Sequence, residues 1–185
     1  MGIALSVLLL VAILVAISYN SLARLRLLTA NAWADIDVQL KRRHDLIPSL
    51  VGAVKGHAGY ERGTLESVVN ARNRAVGAGG PAAAGAAEGA LASQVRQILA
   101  LAEAYPDLKA AESFLALQRS LTEIEDHIQN ARRYYNAVVR DYNTRIAQFP
   151  SNLVAGTMHF VPAEFFELSD SGESAAPAVD LGGGR

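Results

Sequence analysis

FLALQRSLTEIEDHIQNARRYYNAVVRDYNTRIAQF, residues 114–149, is the stretch whose reading decides the fold. Phe114, Leu117, Leu121, Ile124, Ile128, Ala131, Tyr135, Val138 and Tyr142 follow one another at alternating steps of three and four, and Phe149 continues the register after Arg145. Two such steps make a heptad, so the apolar residues form one left-handed coiled-coil seam along a long α-helix. At 1.5 Å per residue that helix is roughly 55 Å long. An apolar seam of this length needs a partner of similar reach.

The beginning of the chain supplies one. Residues 1–23 carry no charged side chain, and Ile3, Leu8, Leu9, Leu10, Val11, Ile13, Leu14, Val15 and Ile17 are the core of an aliphatic run interrupted by little besides Ser6. About 20 such residues cross the hydrocarbon of a bilayer, so this run is expected to be a transmembrane anchor. A cleaved secretory signal fits less well, because no basic residue precedes the run and no small-x-small site stands before Ser18. A buried helix of a soluble protein would show a polar face, and none is present. Arg24 and Arg26, then Lys41, Arg42 and Arg43, all follow the run, which by the positive-inside bias is expected to place the amino terminus outside and the remainder in the cytoplasm, as a single-pass membrane protein.

Nothing between the run and NAWADIDVQLKRRHDLIPSLV, residues 31–51, obliges a helix to stop. Thr29 or Asn31 could cap a fresh start, but continuity through residues 20–29 is the simpler reading. Trp33, Ile36, Leu40, Ile47, Leu50 and Val54 then make an amphipathic stripe in which Arg43 occupies the place of an apolar residue. Pro48 removes the hydrogen bond to the carbonyl of His44 and is expected to bend the helix or end it near Ser49.

A second helix is expected over 60–74, carried by Leu65, Val68 and Val69. AVGAGGPAAAGAAEGA, residues 75–90, reads as a mobile Gly/Ala-rich loop, since it offers no large side chain to bury. A phosphate-binding loop is not indicated, for the G-x-x-x-x-G-K-[ST] spacing is missing. A third helix over 91–104 has Leu91, Val95, Ile98 and Leu101 on one face and closes at Tyr105-Pro106. The expected fold is therefore all-α: a transmembrane helix (1–23) continuing into an antiparallel four-helix bundle (24–150) with long coiled-coil-like helices. Beyond Pro150, residues 151–168 are rich in large apolar groups that would not stay in water. They either fold back over an end of the bundle or touch lipid or a neighbouring copy, with Phe160, Phe165 and Phe166 as the assembly contacts. Residues 169–185 are small and polar and read as a disordered tail.

Chemistry is sparse. The formal net charge is −1, which argues against nucleic acid as a partner. Glu167, Asp170, Glu173 and Asp180 concentrate acid at the tail and leave the preceding residues slightly basic. There is no cysteine, hence no disulfide, thiol catalyst or thiolate metal site. His57 with Glu61 and Glu123 with His127 stand four apart, but third and fourth ligands are not evident, so solvated contacts are the expectation and no metal or other cofactor is assigned. No nucleophile elbow or HExxH helix occurs, and no catalytic residue is assigned. Arg24, Arg26, Lys41, Arg42 and Arg43 are candidates for contact with anionic headgroups or an acidic partner.

NAWADIDVQLKRRHDLIPSLV, the segment from Thr64-Leu65-Glu66 to Ala71-Arg72, AYPDLKA at 104–110, the run from Phe114-Leu115-Ala116-Leu117-Gln118 to Tyr134-Tyr135-Asn136, and Tyr142-Asn143 to Phe149-Pro150 together resemble the LemA family of bacterial membrane proteins. The resemblance implies a single amino-terminal anchor, an antiparallel helical bundle, an amino terminus outside and no established enzymatic activity. Because the family includes members tied to magnetosome membrane formation, it also implies a role in shaping or scaffolding membranes. Glycine at residues 56 and 59 and the bland 75–90 segment are departures from the family pattern. Two functions follow as expectations. The first is a non-enzymatic scaffold that self-assembles as a homo-oligomer on membrane lipid. The second is a monomeric adaptor or regulator of another membrane protein, such as a protease.

Overall fold

A computed structural model describes residues 1–56 and 62–168. Among the described residues six helices follow in order: α1 (Gly2–Lys55), α2 (Arg62–Val76), α3 (Pro81–Ala102), α4 (Pro106–Ala110), α5 (Glu112–Ala147) and α6 (Ser151–Thr157). No strand occurs among the described residues. The expected disordered tail and the His57/Glu61 pair lie outside them.

α1 is continuous through residues 20–29, as its sequence allows. Thr29 caps nothing; its hydroxyl donates back to the Leu25 carbonyl at 3.0 Å, a bond made in the middle of a helix. Side chains 1–17 are exposed, and inward-facing positions begin at Ser18 and Leu22, continuing through Ala32, Ile36, Leu40, Arg43, His44, Ile47, Leu50 and Val54. The expectation that Pro48 ends the helix near Ser49 is overturned, for α1 runs on to Lys55. The physical reason lies in α2. The His44 carbonyl, left without its helical donor, accepts the Nε–H of Arg72 at 3.5 Å.

The Gly/Ala-rich loop is the second correction. Only residues 77–80 connect α2 to α3, and helix resumes at Pro81, whose fixed φ and missing N–H suit a first turn. Gly80 takes φ +81, a left-handed conformation that glycine adopts without penalty. The small residues that suggested a loop form instead a face narrow enough for backbone to lie against. A Cβ on Gly85 would stand 2.2 Å from the Glu167 carbonyl oxygen. In α2, Ala71 and Ala75 join Leu65 and Val68 on the buried face, and Val69, expected there, is exposed.

Three core clusters succeed one another along α1. Leu22 packs with Tyr142, Val154 and Ala155. Ala32, Ile36 and Leu40 pack with Ile128, Tyr135 and Val139, and with Ala84 and Phe166. Ile47, Leu50 and Val54 pack with Leu121 and Phe114, with Leu65, Val68 and Ala71 of α2, and with Leu91, Val95 and Ile98 of α3. Numbers rise along α1 as they fall along α5. Phe114, Leu121, Ile128, Tyr135, Val138 and Tyr142 of the heptad series are buried, whereas Phe149, two residues beyond the end of α5, is exposed.

The aromatic segment after Pro150 does not close over an end of the helices. α6 packs sideways on α1 and α5, and residues 158–168 return as an irregular strap along α5. Phe166, expected as an assembly contact, is fully buried between Trp33 and Tyr135, with ring centroids 5.6 Å from Trp33. Enclosing a phenyl side chain stabilises by about 1.5–3 kcal/mol, more than an occasional contact with a neighbour would return. Phe160 is half-buried edge-on to Tyr19, with centroids 5.8 Å apart, and Phe165 stays exposed.

Candidate functional site

Two constructed features stand out in the packed helices: a buried charge cluster and the seat of the strap.

The charge cluster begins with Arg43, whose position in the apolar stripe points it inward. It was expected on an exposed basic face with Lys41 and Arg42; those two are exposed, but Arg43 is 5% exposed. Its guanidinium lies 3.5 Å from Glu88 and 3.3 Å from Glu125, and His44 Nε2 lies 2.5 Å from the other Glu88 oxygen. Glu88 is 0% exposed, so its charge is tolerable only because both oxygens are engaged. These contacts tie Glu88 of α3 to Arg43 and His44 of α1 and fix the height of one helix against the other. A cleft of about 230 Å³ opens beside Arg43 and Glu125, walled by Val95, Leu99 and Leu121.

The strap's seat consists of two asparagines. Asn143 donates its amide to the Ala163 carbonyl at 2.9 Å and accepts the Ala163 N–H at 2.8 Å. Asn136 does the same for Phe166, at 3.1 and 3.0 Å. The match is geometric: two helical turns advance about 10.5 Å, and three residues of extended chain advance about 10 Å. A primary amide offers a donor and an acceptor side by side, as an edge strand does, so each asparagine pairs with strap backbone without a sheet. Tyr135 completes the seat by donating its hydroxyl hydrogen to the Glu164 carbonyl at 2.8 Å. Burial, and secondarily the negative charge of Glu164, push the Tyr135 phenol up to about 12.

Other anticipated groups separate. Glu123 and His127 face solvent 3.8 Å apart, and no group of three metal-ligating side chains occurs among the described residues. Arg24 and Arg26 are exposed just beyond the apolar run. Glu88, Asn136, Asn143 and Arg72 carry roles that sequence reasoning did not assign. The available signals were a single charge in a run of alanine and glycine, and two asparagines one heptad apart.

The most apolar 18-residue window of α1 has a mean hydropathy of 2.6 and is only 6% buried, which is the reverse of a core helix. Exposed aliphatic helix leading into a packed helical body defines a membrane-associated helical protein. The chain belongs to the LemA family, whose sequence model matches residues 32–181 and thus takes in α2, α3, α5 and the strap with its asparagines. It is similar to magnetosome protein MamQ 2 of Paramagnetospirillum magneticum, 25% identical over 182 residues, covering 84% of this chain and 67% of that protein. It is also similar to protein LemA of Metamycoplasma hominis, 26% identical over 148 residues, covering 76% of this chain and 64% of that protein. The alignments span about two thirds of these relatives' own length.

Proposed function

We propose that the protein is a non-enzymatic, single-pass membrane scaffold. In this reading α1 spans the cell membrane with its amino terminus outside, and α1, α2, α3 and α5 form an antiparallel four-helix bundle in the cytoplasm. Copies associate laterally to organise or curve the bilayer. The observation that carries it is the continuity of α1, exposed and aliphatic through Ile17 and part of the core from Leu22 onward. A helix shared by anchor and body transmits the tilt of one to the other, whereas a loop between them would not. The opposed numbering of α1 and α5 through three clusters supports the antiparallel arrangement. Similarity to proteins named for the magnetosome supports a role at a shaped membrane.

Imaging of the full-length protein in vesicles, with crosslinking and mass measurement in mild detergent, tests this. Ordered arrays or discrete oligomers are expected, and a strictly monomeric species in both settings overturns it. A monomeric adaptor is the second reading, favoured by the exposure of Lys41 and Arg42 and by the cleft that Arg42 lines with Asp45, Glu123 and His127. It requires one stoichiometric heterologous partner, lost on reversing the charges of Lys41 and Arg42.

A further inference from the structure

Four large apolar side chains, Phe149, Leu153, Met158 and Val161, are between 53 and 79% exposed on and beside α6. α6 has no need of them for packing, because Ser151, Val154 and Ala155 form its buried face. Residues 149–163 contain no Asp, Glu, Lys or Arg. An uncharged segment with this much apolar surface is not a water-facing cap.

Its height on α1 shows what covers it. Val154 and Ala155 pack on Leu22, and the Phe160 ring meets Tyr19. Leu22 and Tyr19 lie between Ile17, the last residue of the exposed aliphatic run, and Arg24, the first charge on the helix. That interval is about 10 Å of helix, close to the depth of a headgroup layer. Tyrosine is enriched in that layer, and basic side chains such as Arg24 and Arg26 reach out of it to phosphates.

We propose that α6 and its flanks form a collar around the base of the anchor, with Phe149, Leu153, Met158 and Val161 inserted at the boundary between headgroups and acyl chains. The proposal rests on α1 spanning the membrane. It adds a second, lateral membrane contact, which resists rocking of the helical body about a single helix. The ligand class is the lipid interface itself. The strap then leaves the collar and runs away from the membrane, from Phe160 at Tyr19 to Phe166 at Trp33.

The chain has no cysteine, so single environment-sensitive labels are placed without background. Full-length Leu153→Cys and Met158→Cys are labelled and reconstituted in phosphatidylethanolamine/phosphatidylglycerol vesicles carrying shallow or deep quencher lipids. Leu10→Cys reports the anchor, and Tyr134→Cys an exposed site on the body. The collar predicts blue-shifted emission and strong quenching by the shallow lipid at 153 and 158, deep quenching at 10 and neither at 134. If 10 is quenched while 153 and 158 behave like 134, the collar is overturned and the anchor stands. Blue-shifted emission at 153 and 158 without lipid quenching means a protein contact and also overturns it. If 10 is itself unquenched, the anchor reading fails and the collar with it. Circular dichroism of each labelled protein confirms that it is folded.

Discussion

Arg72 donates its Nε–H to the carbonyl of His44 at 3.5 Å, and that carbonyl is the one Pro48 leaves without a helical donor. One side chain of α2 thereby repairs a defect built into α1. Pro48→Ala restores the backbone bond and is expected to stabilise the protein by up to about 3 kcal/mol. Arg72→Ala in the native background costs about 1 kcal/mol, by exposing an unpaired carbonyl. In the Pro48→Ala background that cost shrinks toward zero. A double-mutant cycle of denaturation midpoints in mild detergent measures the difference, and additive effects would mean that the two residues are not coupled.

Glu88 anchors the buried charges. Glu88→Ala leaves Arg43 with Glu125 and His44 with no carboxylate, and is expected to cost about 3 kcal/mol. Replacing Arg43, His44 and Glu88 together by apolar residues of similar size is expected to be neutral or mildly stabilising, since all three desolvation penalties vanish. Thermal unfolding followed by circular dichroism distinguishes the two outcomes. Equal losses in both variants would mean that packing, not charge, dominates the site.

The long helices were legible because their apolar residues repeat at the helical period over many turns, a signal no single exception erases. What stayed hidden depends on partners remote in sequence. Pro48 reads as a breaker until Arg72 is brought beside it, and residues 81–90 read as a loop until Glu167 is laid on Gly85. Arg43 and Glu88 were each conspicuous, one as a charge in an apolar stripe and the other as a charge in a bland run, but neither position names the other. Asn136 and Asn143 bond to backbone, which has no sequence signature at all.

The asparagine seat predicts a local effect. Asn143→Ala removes two hydrogen bonds and leaves the Ala163 N–H and carbonyl unpaired, at a cost of about 2 kcal/mol. Asn136→Ala should act alike on Phe166. Hydrogen exchange at the Ala163 and Phe166 amides reads the result directly. Protection should collapse along the strap while α5 amides near Ile128 keep theirs.

Gly85 and Gly52 offer a matched pair. Alanine at either position gains about 1 kcal/mol of helix propensity. Gly52 has nothing within 4 Å of a new Cβ, so Gly52→Ala should stabilise by about that amount. At Gly85 the methyl would meet strap backbone at 2.2 Å, and overpacking costs typically about 1–3 kcal/mol. Gly85→Ala is therefore expected to destabilise and to open the strap to limited proteolysis. Equal stabilisation at both sites would show that the strap yields freely.

Tyr135 gives the strap an alkaline limit. Its phenol is raised from the ordinary 10.0 to about 12, first by burial and then by Glu164. A raised acid keeps its proton in the folded state while the unfolded chain loses it, so the stability it contributes is complete below pH 10 and is lost as pH rises toward 12. Ionisation also removes the hydrogen donated to the Glu164 carbonyl, which a phenolate cannot replace. Phenolate absorbance should therefore show a late-titrating tyrosine that disappears in Tyr135→Phe. That variant loses about 1 kcal/mol at neutral pH, and its stability falls less steeply between pH 10 and 12. An unchanged late titration in Tyr135→Phe would assign it to another phenol, with Tyr142, also raised by burial, the first to test.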